Sequence, residues 1–179
     1  GTVRHLLAHA AGYGFDSGII MPPERKRVYS NTGFDALADH LGRRAGMPAG
    51  AYVDEAVLQP LGMTGTEIGD RSLAHGARST ASDMTHLAAE LLRPTLIHPD
   101  TMLLATSVAF GGLDGTLPGF GTQTPNDWGL GFELRDRKSP HWTGSSNSPG
   151  TFGHFGAAGT FVWVDPVLNR ALVVLTDRE

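Results

Sequence analysis

The sequence predicts an α+β fold, with a mostly helical lobe and loops over residues 1–150 and antiparallel strands over residues 151–179. Helix-type spacing of apolar residues is confined to the first part of the chain. Runs rich in Val, Phe, Trp and Thr close it. Because helices come first and strands last, without βαβ alternation, we expect an antiparallel sheet. The predicted strands are Thr151–Phe155, Gly159–Val164 and Ala171–Thr176.

Three helices are predicted before Pro60, since apolar residues there recur every three or four positions. Glycine or proline follows each apolar stripe and ends the helix. An asparagine or threonine precedes the second stripe and can cap it. The predicted helices lie within Thr2–Ala10, from a cap at Asn31 or Thr32 to Gly46, and over Ala51–Gln59.

Two further helices have start signals in the sequence. Thr80, followed three residues later by Asp83, resembles a capping box, and the apolar stripe behind it runs until Pro94. Pro99 suits the first position of a helix, and Asp100 suits the positive end of its dipole. We therefore predict helices beginning near Thr80 and at Pro99.

The remaining segments are predicted as loops and turns. The basic stretch Glu24–Arg27 is most simply a solvated surface turn. Gly111–Trp128 is rich in Gly, Thr and Pro and predicts a long loop, a kind that is often functional. Gly156–Ala158 and Asp165–Arg170 are short enough to join the closing strands as hairpins.

Composition restricts the classes of function. The 14 lysine and arginine residues against 18 aspartate and glutamate residues give a net charge of −4, which argues against nucleic-acid binding. The absence of cysteine excludes a disulfide scaffold and a thiol nucleophile. The longest aliphatic run, Ala171–Leu175, is far shorter than the roughly 20 residues of a membrane span.

Three well-known kinds of site lack their full signature. His5 and His9 have the spacing at which two imidazoles share a metal, but a third ligand and an intervening glutamate are missing, which favours a structural or surface role. The glycines of Gly111–Gly121 are not followed by the lysine of a phosphate loop. Gly-x-Ser-x-Gly occurs nowhere. We predict neither a metal nor a cofactor.

Two tripeptides carry the candidate chemistry. Tyr29-Ser30-Asn31 places a phenol and a carboxamide at the start of a predicted helix, and His154-Phe155-Gly156 lies on a predicted strand. Together with four other segments they resemble the serine β-lactamase and penicillin-binding-protein-like family, in its class C and esterase branch. The six landmarks, in family order, are Thr2–Gly12, Tyr29–Asn31, Pro60–Met63, Ser79–Met84, Trp128–Phe132 and His154–Gly156.

The resemblance implies an incomplete β-lactamase/transpeptidase-like fold and an acyl-enzyme reaction of a serine in a Ser-x-x-Lys motif. The only lysines are Lys26 and Lys138, and the residues three positions before them are Pro23 and Arg135, so this motif is absent. In relatives it lies upstream of the segment matching Thr2–Gly12. We therefore expect residues 1–179 to form a partial domain without the nucleophile, and to be inactive alone.

The resemblance also implies roles for five residues present. Tyr29 matches the tyrosine that relays protons during acylation, and Asn31 matches the amide that orients the substrate and the lysine. His154 stands where many β-lactamases have the lysine of Lys-Thr-Gly. Gly156 allows a substrate backbone to approach the strand edge, and the Ala157 N–H matches half of the oxyanion hole.

Two differences from the common pattern bear on the substrate. A histidine at position 154 is charged only below a pH of about 6.5 unless perturbed, whereas a lysine is a permanent cation. Phe155 replaces a small hydroxyl residue that often stands there. The sequence therefore favours a neutral ester or amide over a carboxylate-bearing β-lactam. The activities that the resemblance implies are those of an esterase, a D-peptidase or a β-lactamase-like hydrolase.

The expected partner is a small-molecule ester, amide or peptide, and we expect a missing N-terminal segment or a second chain to cover the sheet. The main alternative is a non-catalytic penicillin-binding-protein-like homologue that binds a peptide or cell-wall ligand. An unrelated helical binding module would leave the six landmarks as coincidence. The sequence does not indicate a cellular compartment.

Overall fold

The computed structural model describes residues 1–69 and 72–176. Helices come first and strands last, so the predicted α+β order is confirmed. Residues 177–179, the end of the predicted strand region, lie outside the described residues. The elements are α1 Val3–Leu7, α2 Asn31–Ala45, α3 Ala49–Val53, α4 Ala81–Leu92, α5 Pro99–Ala105, β1 Gly115–Leu117, β2 Gly121–Gln123, β3 Glu133–Leu134, β4 Phe152–Phe155, β5 Phe161–Asp165 and β6 Arg170–Val174.

The capping signals of α4 and α5 are confirmed. The Thr80 hydroxyl accepts a hydrogen bond from the Asp83 N–H at 3.1 Å, and α4 begins at the next residue. Pro99 is the first residue of α5. Helix α4 ends at Leu92, close to Pro94, where its apolar stripe was predicted to stop.

Three helix predictions needed correction. The cap of α2 is Ser30, whose Oγ accepts from the Gly33 N–H at 2.9 Å, and not Asn31 or Thr32. Helix α1 is shorter than the predicted Thr2–Ala10, and the predicted helix Ala51–Gln59 is instead α3 followed by a π-helical turn. That turn spans Asp54–Leu58. No helix among the described residues is long and apolar enough to cross a membrane.

The closing strands form an antiparallel sheet with the order β3-β4-β5-β6, and α4 packs against β5 and β6. Strand β3 was not predicted, because two residues carry no periodicity. The backbones of β4 and β5 approach so closely at Gly153 that an added Cβ would overlap the Val162 carbonyl oxygen. The apolar core on this side of the sheet contains Leu91, Leu92, Phe132, Leu134, Phe152 and Val164.

The predicted loop Gly111–Trp128 contains a short antiparallel hairpin, β1–β2, which the Gly- and Thr-rich composition conceals. The charge run before it in the chain also needed correction. Arg27 is only 1% exposed, and its guanidinium donates to the carbonyl oxygens of Ala8, Ala109, Phe110 and Asn126. A solvated turn therefore describes Glu24, Arg25 and Lys26 but not Arg27.

Candidate active site

Two predicted site residues from distant parts of the chain meet. Tyr29 directly precedes the α2 cap, and His154 lies on β4. Their ring centroids are 5.5 Å apart. Buried Trp128 lies against both rings, with centroid distances of 6.0 Å to Tyr29 and 5.9 Å to His154. The start of α2 and the end of β4 thus bring the phenol and the imidazole to one place.

A third member of this cluster was missed as a site residue. His9 is buried, and its ring centroid lies 4.5 Å from that of Tyr29. Its Nδ1 accepts a hydrogen bond from the Ser30 N–H at 3.2 Å. His5 points elsewhere, with its Nε2 2.8 Å from Oε1 of Glu24. The spacing of the two histidines signalled a metal or a structural role, and nothing in the sequence linked His9 to Tyr29.

Burial controls the protonation of the cluster. It raises the pKa of the Tyr29 phenol. It lowers the pKa of His9 to about 3, assisted by the charges of His154 and Arg27. It also lowers the pKa of His154, opposed by the Glu133 carboxylate. At neutral pH the phenol is therefore protonated and both imidazoles are neutral, so ionising Tyr29 needs a cation from elsewhere.

Asn31 is hydrogen-bonded to the loop that contains Phe15 and Asp16. Its Nδ2 donates to Oδ1 of Asp16 at 2.8 Å, and its backbone N–H donates to the Phe15 carbonyl at 2.9 Å. These bonds fix the position of the carboxamide, two residues after Tyr29 in the sequence. The role of Asn31 in orienting a substrate stays a prediction.

The predicted oxyanion segment follows β4 directly. The Gly156 N–H donates to the Thr160 carbonyl at 2.8 Å, and Ala157 is exposed in the turn. An added Cβ at Gly156 would lie 3.3 Å from the Thr160 Oγ1, which is a tight contact. The part that Ala157 takes in an oxyanion hole stays a prediction.

One edge of β4 is only partly covered. In the described part of the chain, β3 pairs with β4 at Phe152 and Gly153 and ends there. His154 and Phe155 therefore extend past β3 on this edge while β5 pairs with them on the other. An extended backbone fits beside such an edge.

Aromatic side chains lie beside this edge. Phe155 is in contact with Trp142, at a centroid distance of 5.4 Å, and with Phe120 from the β1–β2 connection at 6.3 Å. The end of β4 therefore presents a polar ring, His154, and an apolar ring, Phe155, next to Gly156.

The two lysines have different surroundings. Lys26 is exposed. Lys138 is buried, and its ammonium donates to the Glu133 carboxylate and to the carbonyl oxygens of Asp127 and Leu134. Glu133 also accepts from Nε2 of His141 and from Nε1 of Trp142, both at 2.8 Å. The positive charge of Lys138 is therefore paired with the Glu133 carboxylate inside the protein.

A family model described as Beta-lactamase matches residues 2–179. The chain belongs to the Beta-lactamase family. A β-lactamase crystal structure from Mycobacterium bovis is 51% identical, with a TM-score of 0.97, and the match covers 100% of this chain and 67% of that one. The resemblance given by the six landmarks is confirmed.

More distant relatives agree with this assignment. A curated protein of Escherichia coli O157:H7, named "Putative D-alanyl-D-alanine carboxypeptidase", is 24% identical over 87% of this chain and 46% of its own length. A hydrolase with promiscuous acyltransferase activity shares the fold, with a TM-score of 0.79 at 17% identity over 99% of this chain and 67% of that one. The chain spans about half the length of the curated relatives that it matches.

Proposed function

We propose that this chain is part of a serine hydrolase that cleaves esters or amides through an acyl-enzyme. The observation that carries the proposal is the meeting of Tyr29 and His154, 5.5 Å apart, in a chain of the Beta-lactamase family. The names of the relatives, a β-lactamase, a carboxypeptidase and a hydrolase, support hydrolysis of an acyl bond.

Tyr29 is the proposed proton relay. Burial favours its neutral phenol, so relay at neutral pH requires an adjacent ammonium group. Since Lys138 is bonded to Glu133 and Lys26 is exposed, we assign this ammonium and the serine to a Ser-x-x-Lys segment outside residues 1–179. The 179-residue chain alone should then lack turnover of esters and of nitrocefin; measurable turnover would contradict this assignment.

In the proposed reaction, the Tyr29 phenolate, stabilised by the lysine ammonium, takes up the proton of the serine hydroxyl as the serine oxygen bonds to the carbonyl carbon. The bond to the alcohol or amine then breaks, and this leaving group departs with the proton that Tyr29 returns. Water attacks the acyl carbon next. Its proton passes through Tyr29 to the serine oxygen as the carboxylic acid is released.

His154 and the β4 edge support the proposed substrate class. A neutral imidazole offers a hydrogen bond but no permanent charge, which favours a neutral ester or amide over a substrate that depends on a carboxylate. The open edge beyond Gly153 suits an extended acyl or peptide chain, with Asn31, Gly156 and the Ala157 N–H as its further proposed contacts.

The test uses the full-length protein that contains this chain. A fluorophosphonate label located by mass spectrometry should mark one serine, and p-nitrophenyl butyrate should be hydrolysed. Tyr29→Phe should lower kcat by about 10²–10⁴-fold, because general acid–base catalysis contributes that much. Tyr52→Phe is the matched control, since Tyr52 is exposed.

Two outcomes would contradict the proposal. A full-length protein that neither takes the label nor turns over esters would favour the alternative, a non-catalytic homologue that binds a ligand. Equilibrium binding of muropeptides would then test that alternative. Full activity of Tyr29→Phe in a labelled protein would exclude Tyr29 as the proton relay.

A further inference from the structure

His9 is bonded to the residues on both sides of Tyr29. Its backbone carbonyl accepts from the Val28 N–H at 3.0 Å, and its Nδ1 accepts from the Ser30 N–H at 3.2 Å. One residue thus holds the backbone before and after the phenol. Main chain and side chain of His9 together form a clamp around Tyr29.

The backbone of His9 is adapted to this double contact. Its φ of 52° lies in the left-handed region, which few non-glycine residues adopt, although Asn, Asp and His do so more often than others. This conformation ends α1 and lets the carbonyl and the ring of His9 reach the same segment. A strained conformation in this place is a reason to look for a functional role.

The ring of His9 also packs against the phenol. It lies 4.5 Å from the Tyr29 ring centroid, 4.9 Å from that of Phe34 and 4.6 Å from that of Trp128, which it meets edge-on. These contacts leave His9 only 4% exposed. The imidazole therefore has few alternative positions, and the Tyr29 phenol that packs on it has few as well.

The bond to Ser30 requires a ring nitrogen without a proton. Nδ1 can accept only in the neutral imidazole with its proton on Nε2. The surroundings favour that form, since burial lowers the pKa of His9 to about 3, assisted by the charge of His154 when that ring is protonated and by the charge of Arg27. The remaining ring neighbours, Tyr29, Phe34 and Trp128, bring no charge at neutral pH.

We infer that His9 is a positioning residue for Tyr29, which it fixes through the neutral Nδ1 acceptor on the Ser30 N–H. This inference rests on the proposed function for its effect on catalysis, but the bond itself can be measured without activity. No catalytic contact of His9 with the substrate is implied.

Two substitutions in the full-length protein separate the acceptor from the ring. His9→Asn keeps an acceptor in the Nδ1 position and tolerates a left-handed backbone, whereas His9→Phe keeps the ring and removes the acceptor. We expect His9→Phe to lower kcat for p-nitrophenyl butyrate by up to about 100-fold with little change in KM, because small displacements of a catalytic group have effects of that size. His9→Asn should recover a large part of that loss.

His40→Asn and His40→Phe are the matched controls, because His40 is exposed on α2. Equal losses of kcat in His9→Asn and His9→Phe would mean that ring packing matters and the acceptor does not, and would overturn the inference. So would full activity of His9→Phe.

A second measurement does not depend on turnover. In the wild-type protein, imidazole ¹H–¹⁵N correlation spectra should show His9 with Nδ1 unprotonated and unchanged between pH 5 and 8. Hydrogen exchange should show a protected Ser30 amide, with protection retained in His9→Asn and lost in His9→Phe. A His9 that titrates in this range, or an unprotected Ser30 amide, would refute the clamp. If the wild-type protein turns over no ester, the proposed function fails, and the spectra and exchange decide the clamp alone.

Discussion

The ammonium group of Lys138 is bonded to the Glu133 carboxylate inside the protein, where the two side chains are 2% and 1% exposed. Burial lowers the pKa of Lys138, and the negative charge of Glu133 opposes this. The ion pair lies behind the sheet edge that carries the candidate site, since Glu133 pairs with Gly153, the residue before His154. The pair therefore supports the position of β4.

Replacing Lys138 should destabilise the fold more than replacing the other lysine. Lys138→Met leaves the buried Glu133 without its cation, and removal of one partner of a buried pair costs about 3–5 kcal/mol. Lys26→Met, at an exposed position, should change the free energy of unfolding by less than about 0.5 kcal/mol. Urea titrations of both variants measure the difference, and equal midpoints would contradict the structural role of Lys138.

Arg27 and Arg25 offer a second matched pair. Arg27→Leu removes the donor for four carbonyl groups and the charge opposite Asp127, whose Oδ1 is 3.9 Å from the guanidinium. We expect a loss of about 3–5 kcal/mol in the free energy of unfolding. Arg25 is exposed, so Arg25→Leu should have little effect. Thermal and urea unfolding measure the stability of both variants. Equal losses would contradict the structural role of Arg27.

Stability should depend on pH through the buried histidines. The pKa of His9 is about 3 in the folded protein against 6.5 for the free side chain, so the unfolded chain binds a proton that the folded one refuses. The free energy of unfolding should then be full above pH 6.5 and fall by about 1.4 kcal/mol per pH unit for that proton as pH decreases toward 3. His154 acts in the same direction.

The measurement is the slope of the free energy of unfolding between pH 5 and 6.5, where carboxyl groups titrate little. His9→Asn should reduce that slope by about the contribution of one proton bound on unfolding. His40→Asn should leave the slope unchanged. A slope that His9→Asn does not alter would show that His9 is charged in the folded protein.

The activity of the full-length protein should not require a charged His154. Burial lowers the pKa of this imidazole, so the ring stays neutral from pH 7 to 8 and its ionisation should not change kcat/KM there. We expect kcat/KM to decrease only at lower pH, where the ring becomes charged. Comparing the pH profiles of wild type and His154→Gln tests this. A wild-type profile that falls as pH rises through 6.5 would indicate that the imidazolium is the active form.

The outer side of the sheet should have a cover. Val167 and Leu168 in the β5–β6 turn and Leu172 on β6 are exposed, and β6 pairs only with β5 in the described residues. We expect the isolated 179-residue chain to associate, through this edge and these apolar side chains. Sedimentation should show association that Leu172→Lys weakens. A monomer at all concentrations would refute the prediction.

The helices could be predicted best where several local signals agree. In α4 the apolar stripe, the Thr80 cap and Pro94 all indicate one segment, and the structure follows them. The β1–β2 hairpin and the two-residue β3 could not be predicted, because strands that short have no periodicity and depend on partners far away in sequence.

The site was predictable only as far as its landmarks. Tyr29 and His154 were named from their motifs, and the structure brings them together. Arg27 was misjudged because its partners are backbone carbonyls, which leave no mark in the sequence. The same holds for His9, whose partner is the Ser30 backbone N–H.

The bonds of Arg27 also bear on how the molecule folds. Its guanidinium joins carbonyl groups at residues 8, 109, 110 and 126, and the farthest lies 99 positions away along the chain. Contacts of that separation require closure of a long loop, and proteins rich in them fold slowly. We therefore expect the segment carrying Tyr29 to acquire its native surroundings only after this long loop has closed. In a nascent chain the candidate site would stay unfinished until His154, which packs against Tyr29, had also been synthesised and had docked.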